Sequence, residues 1–194
     1  MEYIINLAIL VVIYSILGIS LNLVVGYAGL LSLAHAAFYG IGAYVTGILL
    51  TQFNVNFFIS IIPGMMIAAL ASFLIGIVLS KFDGDYFALG SLGFGAIIFS
   101  VLLNWQEVTR GPMGIPGISK PNLFGFTFAT NFLFLLLALL FLILVYMTAQ
   151  FIINSSFGRA LKAIREDEKA IQIFGYNTLH YKLTIFVVSA AMAA

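Results

Sequence analysis

The chain of 194 residues is 63% hydrophobic and only 8% charged, with a mean hydropathy of +1.16, against roughly 45–50% apolar and 25% charged residues in soluble domains. That composition belongs to an integral membrane protein. A net charge of +1 offers no general attraction to nucleic acid, and the lack of cysteine excludes disulfides, thiolate catalysis and cysteine metal sites.

A bilayer core of about 30 Å takes about 20 mostly apolar helical residues, and backbone hydrogen bonding inside lipid makes long uninterrupted runs helices. The first run, 3–25, follows an acidic Glu2 instead of a basic leader and is too long for a signal peptide, so it reads as a retained span. Glycines at 26, 29, 40, 42 and 47 then interrupt the apolar pattern. They predict a broken or closely packed segment, with a second span over 33–50.

After a short polar link at Thr51 to Asn56, the third span covers 57–80. Gly64, Ala68, Ser72, Gly76 and Ser80 recur there every fourth residue. This puts small side chains along one helix face and predicts a tight helix–helix contact in lipid. Lys81 to Asp85 is a charged turn, and a fourth span covers 86–103, with Gly90, Gly93 and Gly95 in its first half. Asn104 to Phe128 contains RGPMGIPG, which is turn chemistry and not a span. A fifth span covers 129–153.

The charged island 155–177 comes next. Of the chain's eight basic and seven acidic residues, seven lie between Arg159 and Lys169. Ser155 or Ser156 can cap a helix start, and Gly175 can end one. Phe157, Leu161, Ile164, Ile171 and Phe174 form one apolar stripe on a helix or a pair of short helices. Lys162 with Glu166, and Arg165 with Glu168, are spaced for contact on a helix surface. Such a segment either lies on the lipid surface or docks on a cytoplasmic protein. The mixed signs of Arg165, Glu166, Asp167, Glu168 and Lys169 favour docking. The apolar run 181–194 would cover only about 21 Å as a helix, so the chain is expected to end inside its sixth span and to be C-terminally incomplete.

Five basic residues, Arg159, Lys162, Arg165, Lys169 and Lys182, place the island in the cytoplasm by the positive-inside rule. By alternation the Lys81 turn is also cytoplasmic, and the Pro/Gly loop and the N-terminus are external. There is no G-x-x-x-x-G-K-[ST] phosphate loop, H-E-x-x-H pattern or paired-carboxylate constellation within the spans. No catalytic, cofactor-binding or metal residue is therefore assigned, and the chain is not expected to be an enzyme. His35 is the one ionisable residue inside the first two apolar runs, and reads either as a histidine hydrogen-bonded between helices or as a substrate ligand. Broken helices with exposed backbone groups line substrate sites. Gly26, Gly29, Ser32 and His35, with Gly90, Gly93 and Gly95, are accordingly the candidates for a translocation path, close packing being the other reading of the glycines.

Three stretches carry a family likeness: SLNLVVGYAGLLSLAHAAFYGIGAY from Ser20, GDYFALGSLGFGAII with TRGPMGIPGI between Gly84 and Ile118, and SSFGRALKAIREDEKAIQIFGYNTLHYKLTIFVVSA from Ser155. In this order and spacing the chain resembles the permease subunits of branched-chain amino-acid ABC transporters, the LivH/LivM family, and is closer to the LivM type. The resemblance implies an all-α polytopic transmembrane helical bundle of the ABC importer permease kind, in the cytoplasmic membrane of a prokaryote. It implies a second permease subunit, two cytoplasmic ATP-binding subunits, an extracytoplasmic substrate-binding protein and a small amino-acid substrate, with no cofactor in the permease. It places the ATPase-coupling segment at Gly158 to Gly175, including Arg159, Lys162, Arg165, Glu166, Asp167 and Glu168. The wider E-A-A-x-x-x-G pattern of ABC permeases is matched loosely, since the chain reads Glu168-Lys169-Ala170 and reaches glycine at Gly175. The external loop with Arg110, Gly111, Pro112 and Gly114 would face the binding protein. Related permeases carry urea or short amides. An ATP-independent carrier is the competing class, disfavoured by the scarcity of buried charge in the spans.

Overall fold

Long apolar runs without interior charge become long helices here, as backbone satisfaction in lipid requires. In a computed structural model the chain is a polytopic all-α membrane bundle. The structure describes residues 2–82, 84–118, 120–123, 126–127 and 130–194. Asp83 of the expected turn and Ala129 of the expected fifth span lie outside the described residues.

Helix α1 (Glu2–Asn22) continues into a π-helical turn (Leu23–Tyr27). It is followed by α2 (His35–Gln52), α3 (Phe57–Leu79), α4 (Asp85–Asn104), a single turn α5 (Gln106–Thr109), α6 (Asn131–Asn154), α7 (Ser156–Glu166), α8 (Glu168–Ile173) and α9 (Thr178–Ala193). The loop before α6 holds a two-residue antiparallel ladder, β1 (Asn122–Leu123) with β2 (Phe126–Thr127). Among the described residues, Glu2–Tyr27, Phe57–Leu79, Asp85–Asn104 and Asn131–Asn154 are long and apolar enough to cross a membrane. The region expected as the second span holds α2, 18 residues that include His35, Thr46, Thr51 and Gln52. Its polar groups are accommodated by helix contacts: the Thr51 hydroxyl donates to the Gly47 carbonyl at 2.8 Å.

α3 packs along α2 and α9, and α1 packs along α6 and α9. For α3 the reason is the small-residue ladder. Gly64, Ala68, Ser72 and Gly76 are buried together with Ser60, while Ser80 at the end of the row is half-buried. A Cβ on Gly64 would stand 3.0 Å from Thr46 Oγ1 of α2, and one on Gly76 would stand 2.8 Å from Leu183 Cδ1 of α9. The face left by the missing side chains is where α2 and α9 approach. Phe38, Phe87 and Phe186 meet edge-on across α2, α4 and α9, with Phe186 5.5 Å from Phe38 and 5.9 Å from Phe87. They sit in one core cluster with Val24, Ala34, Ala68 and Leu79.

The helices sort their ends. Asn131 reaches Asn6 at 3.2 Å and Asn56 donates to the Asn122 carbonyl at 2.7 Å, so the start of α1, the α2–α3 link and the Pro/Gly loop share one end of the bundle. The π-turn, the Lys81 turn and α7–α8 lie at the other. Capping explains the short helices: the Ser155 hydroxyl accepts from Gly158 N–H at 3.2 Å, the Asp167 carboxylate from Ala170 N–H at 3.0 Å, and the Asn177 side chain from His180 N–H at 3.2 Å.

Candidate functional site: the broken first span and the charged segment beneath it

The sequence SLNLVVGYAG does not end α1 cleanly. At Leu23–Tyr27 the helix widens, and the Leu30 N–H reaches back to the Val24 carbonyl at 3.1 Å. Gly29 then turns the chain with φ +69°, a conformation that costs glycine nothing and other residues about 1 kcal/mol or more. In a regular helix the Gly26 carbonyl would accept from the Leu30 N–H; here that donor goes elsewhere and Arg165 of α7 supplies its replacement, Nη1 to Gly26 O at 2.5 Å.

Residues 28–34 run without helix to α2. One of their backbone donors is satisfied by α4: the Leu33 N–H donates to Ser91 Oγ at 2.9 Å while the Ser91 hydroxyl donates to the Ala88 carbonyl at 2.8 Å. Ser32 and His35 are buried. Neither ring nitrogen of His35 has a partner of good hydrogen-bond geometry among the described residues, although the ring lies against the Ser20 backbone of α1. Its ring meets Phe38 edge-on at 6.2 Å.

The proposed path residues are thus unevenly placed. Gly26, Gly29, Ser32 and His35 lie along the broken segment, and Gly95 adjoins it, with the position of its missing Cβ 3.7 Å from the Leu33 carbonyl. Gly90 instead faces Leu79 of α3 at 2.6 Å, as a packing glycine would, and Gly93 meets nothing within 4 Å. A cleft of about 420 Å³ lies at the opposite end of the bundle, between Asn6, Phe57, Lys120, Asn131 and their neighbours, and none of the expected path residues lines it.

The charged island is two helices with a bend, and its stripe is divided between them. Leu161 and Ile164 are buried, and Phe157 stacks on Tyr181 at 5.1 Å. At Asp167 the backbone is extended, with φ −152° and ψ 95°, so α8 points its end elsewhere. Ile173 and Phe174 are 86% and 77% exposed. The bend also corrects the expected ion pairs. Arg165 does not reach Glu168, because the helical register between them is lost at Asp167. It binds Glu166 Oε1 through Nε at 3.2 Å and Nη2 at 2.7 Å, and Glu168 pairs with Lys182 of α9. Lys162 does not pair with Glu166 either; its ammonium lies 5.2 Å from the centre of the Tyr27 ring, a cation–π contact with the π-turn. Arg159 donates back to the Asn154 carbonyl at 3.2 Å, and Gly175 ends the segment at φ +84°.

Gly158 is a corner. A Cβ there would meet the Ile153 carbonyl oxygen and lie 2.5 Å from that of Ile152. Gly158→Ala would gain up to about 1 kcal/mol of helix propensity but must displace backbone, at a cost of about 3 kcal/mol. The expected result is a lower melting temperature in detergent, and an unchanged one would show that the corner yields.

In the Pro/Gly loop, Arg110 adopts φ +60° and Gly111 φ +58°. A side chain on Gly111 would stand 2.8 Å from the Leu103 carbonyl. The turn is held by the Thr109 hydroxyl, 2.7 Å from the Leu102 carbonyl. Pro112 sits in a short 3₁₀ turn closed by the Gly114 N–H, which donates to the Gly111 carbonyl at 3.1 Å.

Comparison with known proteins identifies relatives across this whole architecture. The family described as the permease component of branched-chain amino acid transport systems matches residues 3–194. The chain is 39% identical to the high-affinity branched-chain amino acid transport system permease protein LivM of Escherichia coli K12 and 38% identical to that of Salmonella typhimurium LT2, in each case over 97% of this chain and 50% of the relative. It is 25% identical to a probable LivM of Methanocaldococcus jannaschii, over 93% of this chain and 62% of that protein. The chain therefore spans about half the length of the two bacterial relatives. No solved structure matches it.

Proposed function

Because the chain belongs to the family of permease components of branched-chain amino acid transport systems, we propose that it is the membrane-spanning permease of an ATP-driven importer of leucine, isoleucine and valine in the cytoplasmic membrane of a prokaryote. Its partners are a second permease subunit, two cytoplasmic ATP-binding subunits that hydrolyse ATP, and an extracytoplasmic substrate-binding protein.

One observation carries the reading. The segment that would couple to the ATPases, 158–175, is joined by Arg165 and Lys162 to the broken first span, and that span is joined by Leu33 to α4. A polar segment outside the membrane is thus wired into the helices that a substrate would pass, as an importer powered from the cytoplasm requires. Closure of the ATP-binding subunits pushes on α7–α8 and rocks the attached spans, opening the path alternately to each side. The exposed Lys169, Ile173 and Phe174 are the surface presented to the ATPase, and the loop around Arg110, Gly111, Pro112 and Gly114 receives the loaded binding protein. Selectivity comes mainly from that binding protein, so the path needs no strong site. Gly26, Gly29, Ser32, His35 and Gly95 are its lining, with Gly90 and Gly93 at its margin.

The test is uptake of isotope-labelled leucine by vesicles containing the full-length protein, its partners and a binding protein, with and without ATP and with urea as competitor. Uptake that requires ATP and ignores urea is the expected result. ATP-independent uptake would indicate a secondary carrier, and leucine uptake that is absent or blocked by urea would move the substrate to the amides.

A further inference from the structure

We propose that Arg165 is a positioning residue that clasps the break in the first span, facing inward to the permease and not outward to the ATPase. The inference rests on the reading of α7–α8 as the coupling segment and deepens it by naming the joint through which its movement passes.

The geometry has three parts. The guanidinium is divided: Nη1 donates to the Gly26 carbonyl at 2.5 Å, while Nε and Nη2 hold Glu166 Oε1 at 3.2 and 2.7 Å. The planar fork of arginine suits this double duty, and a lysine ammonium could make either contact but not both with the same directionality. The Gly26 carbonyl lacks its helical donor, because the π-turn diverts the Leu30 N–H to Val24 at 3.1 Å, and the half-exposed guanidinium takes that donor's place. Gly29 completes the clasp. The position of its missing Cβ is 2.6 Å from Arg165 Cγ, so the arginine stem occupies the space a side chain would take.

Beyond Gly29 the chain reaches Leu33, whose N–H is held by Ser91 of α4 at 2.9 Å. Residues 26–33 therefore form a short tether between α7 and α4, with Arg165 at one end and Ser91 at the other. A displacement of α7 reaches the Gly26 carbonyl through the guanidinium, beside the Lys162 contact with Tyr27 and the packing of Leu161 on Leu23 and Ala28. Without the clasp only those non-directional contacts join α7 to the break, and less of its movement reaches α4.

The experiment uses the full-length permease in its complex, comparing Arg165→Ala, Arg165→Lys and Gly29→Ala with the unaltered protein. Three readouts are taken: co-purification of the ATP-binding subunits, ATP hydrolysed per leucine imported, and hydrogen exchange of the 26–34 amides. In Arg165→Ala the ATP-binding subunits are expected to remain bound and hydrolysis to persist, while ATP spent per leucine rises about tenfold, the scale of losing one charged hydrogen bond, and exchange at 26–34 accelerates. Arg165→Lys should restore part of the coupling and Gly29→Ala should resemble Arg165→Ala. Loss of the ATP-binding subunits from Arg165→Ala would overturn the proposal by making Arg165 an outward contact. Unchanged exchange and unchanged coupling would overturn it equally. Should the unaltered complex import no leucine, the importer reading itself falls, while exchange at 26–34 still reports whether the clasp exists.

Discussion

Gly76→Leu is expected to reduce the yield of folded, membrane-integrated protein by about tenfold or more, the largest stability effect foreseen for a single substitution in the bundle. The missing Cβ of Gly76 already lies 2.8 Å from Leu183 Cδ1 and 3.2 Å from Phe186 Cδ1. Phe186 is 1% exposed and is fixed between Phe38 and Phe87, so it has nowhere to retreat. Overpacking a close-packed interior costs typically about 1–3 kcal/mol and sometimes more, and folded proteins have only about 5–15 kcal/mol in hand. In lipid the loss is not cushioned by a hydrophobic driving force, since van der Waals packing is the main attraction between spans. Gly76→Ala separates size from chemistry. Its nearest neighbour is the tip of a flexible leucine, and the gain of about 1 kcal/mol from replacing a helical glycine offsets a small shift, so near-normal yield is expected. Yield is measured as monodisperse protein after detergent extraction, and normal yield of the leucine variant would show that α3 and α9 do not pack through this face.

The second large effect falls on assembly. Replacing Ile173 and Phe174 together with aspartate is expected to weaken capture of the ATP-binding subunit by roughly 30-fold or more, on the scale of one interface hot spot of about 2 kcal/mol. The two side chains are among the most exposed large apolar groups in the chain and end a short helix flanked by charge. They make no contribution to the core clusters, so the folded yield should stay unchanged. Co-purification of the ATP-binding subunit with tagged full-length permease gives the measurement. Full capture would place the ATPase contact elsewhere on the segment. Normal capture with reduced membrane retention would show instead that α8 lies on lipid.

Much of this architecture could be read directly from the residues because its signals are local. Membrane helices follow from runs of apolar residues, and the ladder from Gly64 to Gly76 follows from a repeat of four on a helix that turns every 3.6 residues. The caps at Ser155 and Gly175 follow from side-chain oxygens and positive φ within one turn of a helix end. The exposed position of Phe174 was not legible in the same way. Its spacing from Phe157, Leu161 and Ile164 placed it on one stripe with them, and only the extended backbone at Asp167 separates it. The two ionic contacts expected within the island are not formed, for different reasons: the bend at Asp167 separates Arg165 from Glu168, which finds Lys182 fourteen positions on, while Lys162 and Glu166 share α7 but are drawn to Tyr27 and Arg165.

The sequence by itself determined that the chain is a helical membrane protein, where its longest apolar helices run, which face of α3 carries small residues and which segment carries the charge. Each of these depends on composition and periodicity over one or two turns. Tertiary structure alone decided which charges point inward, that Ser91 completes the broken segment of the first span, and that His35 is buried without a well-aligned partner. Those outcomes depend on how distant segments are brought together. Glycine at 26 and 29 permits a break in the helix, but a donor for the freed carbonyl exists only where α7 packs beneath it.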